Sequence, residues 1–219
     1  KLSTKSLYQE QTSFKVIKSA GYVFTLLAIL VTLLFIDALW QGCMAQSKNR
    51  KELEFTATVF SQEKVKQKMQ PLSFDKVPTY SEDELAYFKY YGLEVDSGEH
   101  IFGTFNSGEK VIATHIFKPQ VTKGTVILLH GYFDHSGVWK HVIKAMVARG
   151  YTVAIYDQPG HGLSSGDRAS INDFSEYVSV LEKFLHLAKS NLPEPHHIVA
   201  HSMGGALAIH FLLHVQQES

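Results

Sequence analysis

The sequence predicts an α/β protein, a mostly parallel sheet with helices on both faces, preceded by one N-terminal transmembrane helix. Three observations carry the prediction. Short apolar runs recur at Thr125–Leu129, Tyr151–Tyr156 and Ile198–Ala200, and such continuous runs suit strands covered on both faces. Each is followed by apolar residues at helical spacing, and strand alternating with helix is the grammar of a parallel sheet with crossover helices. Well upstream, residues 20–36 contain no charged side chain.

Composition narrows the class. The chain has 219 residues, 45% hydrophobic and 19% charged, which suits one globular domain with an appendage. Lys+Arg and Asp+Glu both number 21, so no basic excess points to nucleic acid. Cys43 is the single cysteine, which excludes an intrachain disulfide and a zinc site built on several cysteines.

Taken in order, residues 1–19 form a polar tail with Lys1, Lys5, Lys15 and Lys18. Residues 20–40 read as a membrane anchor. The run would be about 31 Å long as a helix, against a bilayer core of about 30 Å. Tyr22 and Trp40 fall near the two interfaces, where amphipathic rings prefer to sit. A cleaved secretory signal and a lipid-modified Cys43 are the competing readings. A buried core helix fits less well, because no polar face is left over about five turns. Lysines on both sides leave the orientation undecided. Residues 41–84 are polar, carry Pro71 and Pro78, and read as a linker; 85–219 read as the α/β domain. Ser81-Glu82-Asp83-Glu84 resembles a helix start.

From His100 the period changes. Ile101–Phe105 and Val111–Phe117 flank an Asn-Ser-Gly turn and predict a hairpin. Ser136 is placed to cap a helix carrying Trp139, Val142, Ile143, Met146 and Val147, ended by Gly150. Phe174, Tyr177, Val178, Leu181, Phe184 and Ala188 mark the next helix. The last runs from Met203 to Val215.

Three glycine-bearing loops then fall at the C-terminal ends of three successive strands, the edge where open α/β sheets bind ligands. They are His130-Gly131-Tyr132-Phe133-Asp134-His135-Ser136-Gly137, Asp157-Gln158-Pro159-Gly160-His161-Gly162, and Ala200-His201-Ser202-Met203-Gly204-Gly205. The third has the strand–turn–helix context of a nucleophile elbow, with Ala where Gly is commoner. A serine hydroxyl is a weak nucleophile until a base takes its proton, and the tetrahedral oxyanion it forms needs amides already aimed at it. Ser202 is the candidate nucleophile. The Met203 N–H, at a helix N-terminus, is a candidate oxyanion donor. His130, His135, Asp157 and His161 match no strong metal-ligand spacing, and no metal or cofactor is expected.

These motifs resemble the serine α/β-hydrolases. The loop His130-Gly-x-x-x-His135-Ser136-Gly137 is similar to that of the monoacylglycerol lipase and lysophospholipase family. The resemblance covers roughly Val111 to Val215. It implies an α/β-hydrolase fold and a second oxyanion donor in the backbone N–H of Tyr132. Supporting roles in the loops fall to His130, Gly131, His135, Asp157, Gly160, His161, Gly162, His201, Gly204 and Gly205. His201 is expected to point into the fold, and both Gly204 and Gly205 to let the helix approach the sheet. The implied substrate is a lipid ester of the monoacylglycerol or lysophospholipid type. Thioesterase, proline-aminopeptidase and non-catalytic binding readings remain open.

A triad also needs a base and an acid. After Ser202 the sequence offers only His210, His214 and Glu218. The two histidines would sit about 12 and 18 Å along the helix that Ser202 begins, out of reach of a hydrogen bond of about 3 Å. In such hydrolases the acid and the histidine follow the serine. The expectation is therefore the N-terminal part of a longer hydrolase.

Overall fold

The computed structural model describes residues 60–76, 79–95 and 97–218, all within one compact unit, Thr56–Ser219. The apolar run 20–40 lies outside the described residues. Among those described, no helix is long and apolar enough to cross a membrane.

Helix α1, Gln62–Lys68, starts at Ser61, whose hydroxyl accepts from the Lys64 N–H, and buries Val65 completely. Helix α2, Glu82–Tyr91, starts at the expected Ser81. The Ser81 hydroxyl accepts from the Glu84 N–H, and the Glu84 carboxylate accepts from the Ser81 N–H at 2.7 Å, a reciprocal capping box. Gly92 ends the helix at φ +64°, a conformation that favours glycine.

The predicted hairpin is present as β1 (Glu99–Ser107) and β2 (Lys110–Lys118), paired from Glu99↔Lys118 to Ser107↔Lys110. Then follow β3 (Thr125–Leu129), a tight helical turn Ser136–Trp139, α3 (Lys140–Ala148), β4 (Thr152–Tyr156), α4 (Ser175–Asn191), β5 (His196–Ala200) and α5 (Met203–Glu218). Every residue of β3 and β4 is buried, as their unbroken apolar character requires.

The strand order is β1-β2-β4-β3-β5. Pairings β3–β4 and β3–β5 are parallel, whereas β1–β2 and β2–β4 are antiparallel, so the sheet is mixed rather than mostly parallel. The tight turn of the hairpin reverses the chain, and its second strand meets β4 head to tail. Alternation along each strand then builds two cores. Ile101, Phe105, Ile127, Leu129 and Tyr156 pack against Tyr177, Leu181 and Phe184 of α4 and Leu207 of α5. Phe102, Phe117, Leu128, Val153 and Ile155 face the other way, onto Val65, Tyr87, Phe88 and Ile143. A fully buried side chain of this size contributes about 1.5–3 kcal/mol.

Two expectations change. Part of the stretch read as linker belongs to this packing: Phe60 and Val65 are buried, and residues 70–72 lie beside β1. There the Thr104 N–H donates to Gln70 O at 2.9 Å and the Leu72 N–H to Thr104 O at 2.8 Å. Short apolar content hid it, because seven helical residues with one buried contact give no readable period. Ser136 does not cap α3 with its side chain. It opens the preceding turn, where the His135 ring accepts from the Gly137 N–H at 3.1 Å.

Candidate active site

The C-terminal ends of β3, β4 and β5 bring the three loops together. Strand β5 is tied to β3 through the His201 N–H, which donates to Leu129 O at 3.0 Å. The chain then turns at Ser202 with φ +51°, one of two described non-glycine residues with positive φ, the other being Ala169. A left-handed conformation at such a residue costs about 1–2 kcal/mol. Here it is held by the helix that follows at once, with the Gly205 and Ala206 N–H groups donating to Ser202 O at 2.9 and 3.2 Å. The strain leaves the Ser202 side chain exposed at the head of α5.

Gly204 is the close approach that the elbow needs. A methyl there would lie 2.7 Å from the Leu129 carbonyl carbon and 2.8 Å from His130 O, with Leu129 O nearer still. Gly205 differs from expectation: a methyl there would meet nothing within 4 Å, because the next residue of the helix turns away from β3. Gly131 lies across from the elbow, where an added methyl would sit 3.4 Å from Ser202 Cβ and 3.0 Å from His201 Nδ1. His201 does not point into the fold. Its ring is exposed, in edge contact with Trp139, and lines a shallow depression with Asp134, Val138, Trp139 and Val142. Strand β5 is an edge among the described residues, which leaves no neighbour to enclose that ring.

Asp157 is buried and joins two loops. Its Oδ1 accepts from the Ser136 N–H at 2.7 Å and its Oδ2 from the Leu163 N–H at 2.8 Å. Burial works to raise its pKa, but His135, His130 and these two amides outweigh it, so the net direction is downward. Gly162 has φ +48° and a methyl there would run into the Asp157 carboxylate, so only glycine fits. The Ser164 hydroxyl donates to Asp157 O at 2.7 Å and accepts from the Ala113 N–H at 2.9 Å, fastening the loop to β2. Gly160, at φ +74°, packs on the 167–170 backbone.

His130 is buried and bonded at both nitrogens. Nδ1 meets Gly131 O at 2.7 Å, and Nε2 accepts from the Gln158 N–H at 2.8 Å. His161 Nδ1 meets Pro159 O at 2.8 Å, with its ring tilted against His130 and edge-on to Tyr132. Both rings are thus tied to the backbone of these loops. Asp134 is held too, its Oδ2 accepting from Trp139 Nε1–H at 2.8 Å. The Tyr132 hydroxyl donates to Ala169 O, which pins the first loop to the second. Phe133 beside it is 92% exposed.

Sequence reasoning missed the His100–His115 pair on the hairpin. His100 Nε2 lies 3.0 Å from His115 Nδ1, stacked among Phe102 and Phe117. Burial pushes the His115 pKa down to about 4, with Asp157 opposing. Alternation in β1 and β2 places both positions on one face, which was the available signal.

Ser202 Oγ has no hydrogen-bond partner among the described residues. His210 lies instead against Phe174, with ring centres 5.6 Å apart. No group of three or more His, Cys, Asp and Glu able to hold a metal occurs among the described residues.

A serine on a left-handed turn between strand and helix, met by a glycine loop from the neighbouring strand, defines the α/β-hydrolase fold. Comparison with known proteins agrees: residues 120–219 match the family model Hydrolase_4, described as serine aminopeptidase, S33. The monoacylglycerol lipase of Mycolicibacterium smegmatis is 37% identical over 39% of this chain and 31% of its own length. Human monoglyceride lipase is 31% identical over 48% of this chain and 35% of its own. Among solved structures, a soluble variant of monoglyceride lipase from Saccharomyces cerevisiae matches with a TM-score of 0.46 at 22% identity, covering 54% of this chain and 39% of that one. The resemblance to the serine α/β-hydrolases of the monoacylglycerol lipase kind rests on the sequence matches over this stretch. The chain spans about a third of the length of these two lipase relatives.

Proposed function

We propose that this chain supplies the nucleophile and the oxyanion hole of a serine hydrolase that cleaves carboxylic esters of lipids, of the monoacylglycerol or lysophospholipid type. The observation that carries the reading is Ser202 at φ +51°, exposed at the head of α5 with Gly131 packed against it. Ser202 Oγ attacks the ester carbonyl and forms the new C–O bond. The carbonyl oxygen takes up negative charge and accepts from the Met203 and Tyr132 N–H groups. Collapse expels the alcohol and leaves an acyl-enzyme, which water hydrolyses. One such amide donor lowers the barrier by about 3 kcal/mol. The Ser202 proton passes to a base that the described residues do not place beside Oγ. The depression lined by Val138, Trp139 and Val142 beside His201, with Phe133 exposed nearby, offers an apolar surface for an acyl chain.

The matching family's description, serine aminopeptidase, S33, favours a second reading, amide hydrolysis at a peptide N-terminus by the same serine, for which prolyl amides serve as test substrates. Membrane attachment through residues 20–40 is a separate part of the proposal, checked by resistance of the protein to carbonate extraction. The deciding experiment labels the full-length protein with a fluorophosphonate, with Ser202→Ala as control, and then compares acylglycerols, lysophospholipids and prolyl amides as substrates. Ser202-dependent labelling with turnover of the lipid esters is expected. Absence of Ser202-dependent labelling would sink the hydrolase reading, and turnover of prolyl amides alone would replace the substrate.

A further inference from the structure

A single peptide unit, Gly131–Tyr132, carries both a clamped group and a candidate catalytic one. In a trans peptide the C=O of one residue and the N–H of the next point in opposite directions. The only cis peptide among the described residues is Glu194–Pro195, so this unit is trans. Its carbonyl is gripped twice, by His130 Nδ1 at 2.7 Å and by the Asp134 N–H at 3.3 Å. Holding the carbonyl therefore sets the direction of the Tyr132 N–H.

The tautomer of His130 is dictated by its other nitrogen. Nε2 faces the Gln158 N–H at 2.8 Å, and a backbone amide can only donate. Nε2 is thus the acceptor, and the ring proton lies on Nδ1, where it donates to Gly131 O. A methyl on Gly131 would lie 3.4 Å from Ser202 Cβ, so this peptide sits across from the elbow. We propose that His130 is the positioning residue of the oxyanion hole: its neutral, Nδ1-protonated ring locks the Gly131 carbonyl and so aims the Tyr132 N–H at the oxygen of an ester bound to Ser202. The assignment rests on the hydrolase reading above. Burial favours the neutral ring and lowers its pKa, while Asp157, the Gly131 carbonyl and Asp134 pull the other way and His161 adds to the lowering.

The two nitrogens have different jobs, and two substitutions separate them. In His130→Asn the side-chain amide overlies Nδ1 and keeps a donor for Gly131 O. In His130→Gln the amide reaches toward Nε2, keeping the tie to Gln158 and losing the clamp. Full-length protein is assayed for steady-state ester hydrolysis and for fluorophosphonate labelling rate, each on the folded fraction set by a melting curve. His130→Asn is expected to keep kcat within about three-fold. His130→Gln is expected to lose about 10- to 100-fold in kcat with KM unchanged, less than deletion of an oxyanion donor outright. The reverse order, or equal losses, would mean that His130 merely ties loops, and overturns the assignment. A second readout needs no variant: the His130 15N signals should show a protonated Nδ1 that shifts when the phosphonate oxygen occupies the hole. An unmoved signal in the labelled protein also overturns it. Failure of the wild-type protein to label at Ser202 is a different result, and removes the hydrolase reading itself.

Discussion

Two adjacent glycines at the head of α5 should respond to the same substitution with opposite signs. In Gly204→Ala the new methyl lies 2.7 Å from the Leu129 carbonyl carbon and 2.8 Å from His130 O, with Leu129 O closer still. Carbon and oxygen in contact normally stand well beyond 3 Å apart, and all three clashing atoms are backbone at the end of a fully buried strand. Neither side can yield without moving β3 against α5. Overpacking of this kind costs about 3 kcal/mol. At about 2–4 °C per kcal/mol for a domain of this size, the melting temperature should fall by about 10 °C. The same shift displaces Ser202 relative to Gly131, and a misplacement of about 1 Å costs on the order of 100-fold in rate. In Gly205→Ala the methyl meets nothing within 4 Å, and replacing a helical glycine with alanine gains about 1 kcal/mol. Its melting temperature should rise by about 2–4 °C with labelling unchanged. Thermal melts and fluorophosphonate labelling of the two variants decide the matter. Equal destabilisation by both, or a neutral Gly204→Ala, would refute the packing argument.

Ser202→Gly should abolish labelling while raising stability by about 1 kcal/mol in urea unfolding, because glycine adopts φ +51° without strain. Asp157→Asn should destabilise by about 3 kcal/mol, since an amide can accept from only one of the Ser136 and Leu163 N–H groups and turns its NH2 toward the other. The folded-state pKa of Asp157 is depressed, so its contribution is present above the ordinary carboxylate range and lost as pH falls through the folded value. A stability–pH curve of Asp157→Asn should accordingly be flatter than wild type below about pH 4. His115 is buried neutral with a pKa near 4, so the unfolded chain takes up its proton first on acidification. Stability from this group is complete above about pH 6.5 and declines by about 3 kcal/mol toward pH 4. Titration of His115 by NMR with a midpoint near 6.5 in the folded protein would contradict this.

The sequence made the strands and the elbow readable because each leaves a periodic or turn-specific trace. Thr125–Leu129 and Tyr151–Tyr156 are unbroken apolar runs, and a serine between small residues marks the strand–helix junction. The helix start at Ser81 was legible for the same local reason, whereas its reciprocal bonds with Glu84 appear only in the structure. What stayed hidden depends on pairing between distant segments. Nothing in residues 70–72 announces that they lie beside Thr104. The β2–β4 pairing is antiparallel because the hairpin folds back, which no local pattern states. Asp157 was placed in a supporting role, but its hold on Ser136 spans 21 residues and appears only once β3 and β4 are side by side. Gly204 and Gly205 are chemically identical in the sequence, and only the sheet distinguishes them.

The strand order has a kinetic consequence. Strand β3 sits between β4 and β5, and its register with β5 runs from Thr125↔His196 to Leu129↔Ala200. The β1–β2 hairpin closes through a short local turn, whereas β5 must return across a long stretch of chain to find β3, and such non-local pairings form slowly. The His201–Leu129 bond that precedes the Ser202 turn cannot exist until that return is complete. A nascent or partly refolded chain would therefore carry the serine without its elbow. The left-handed turn at Ser202 and the close approach of Gly131 are thus features of the assembled β3–β5 edge.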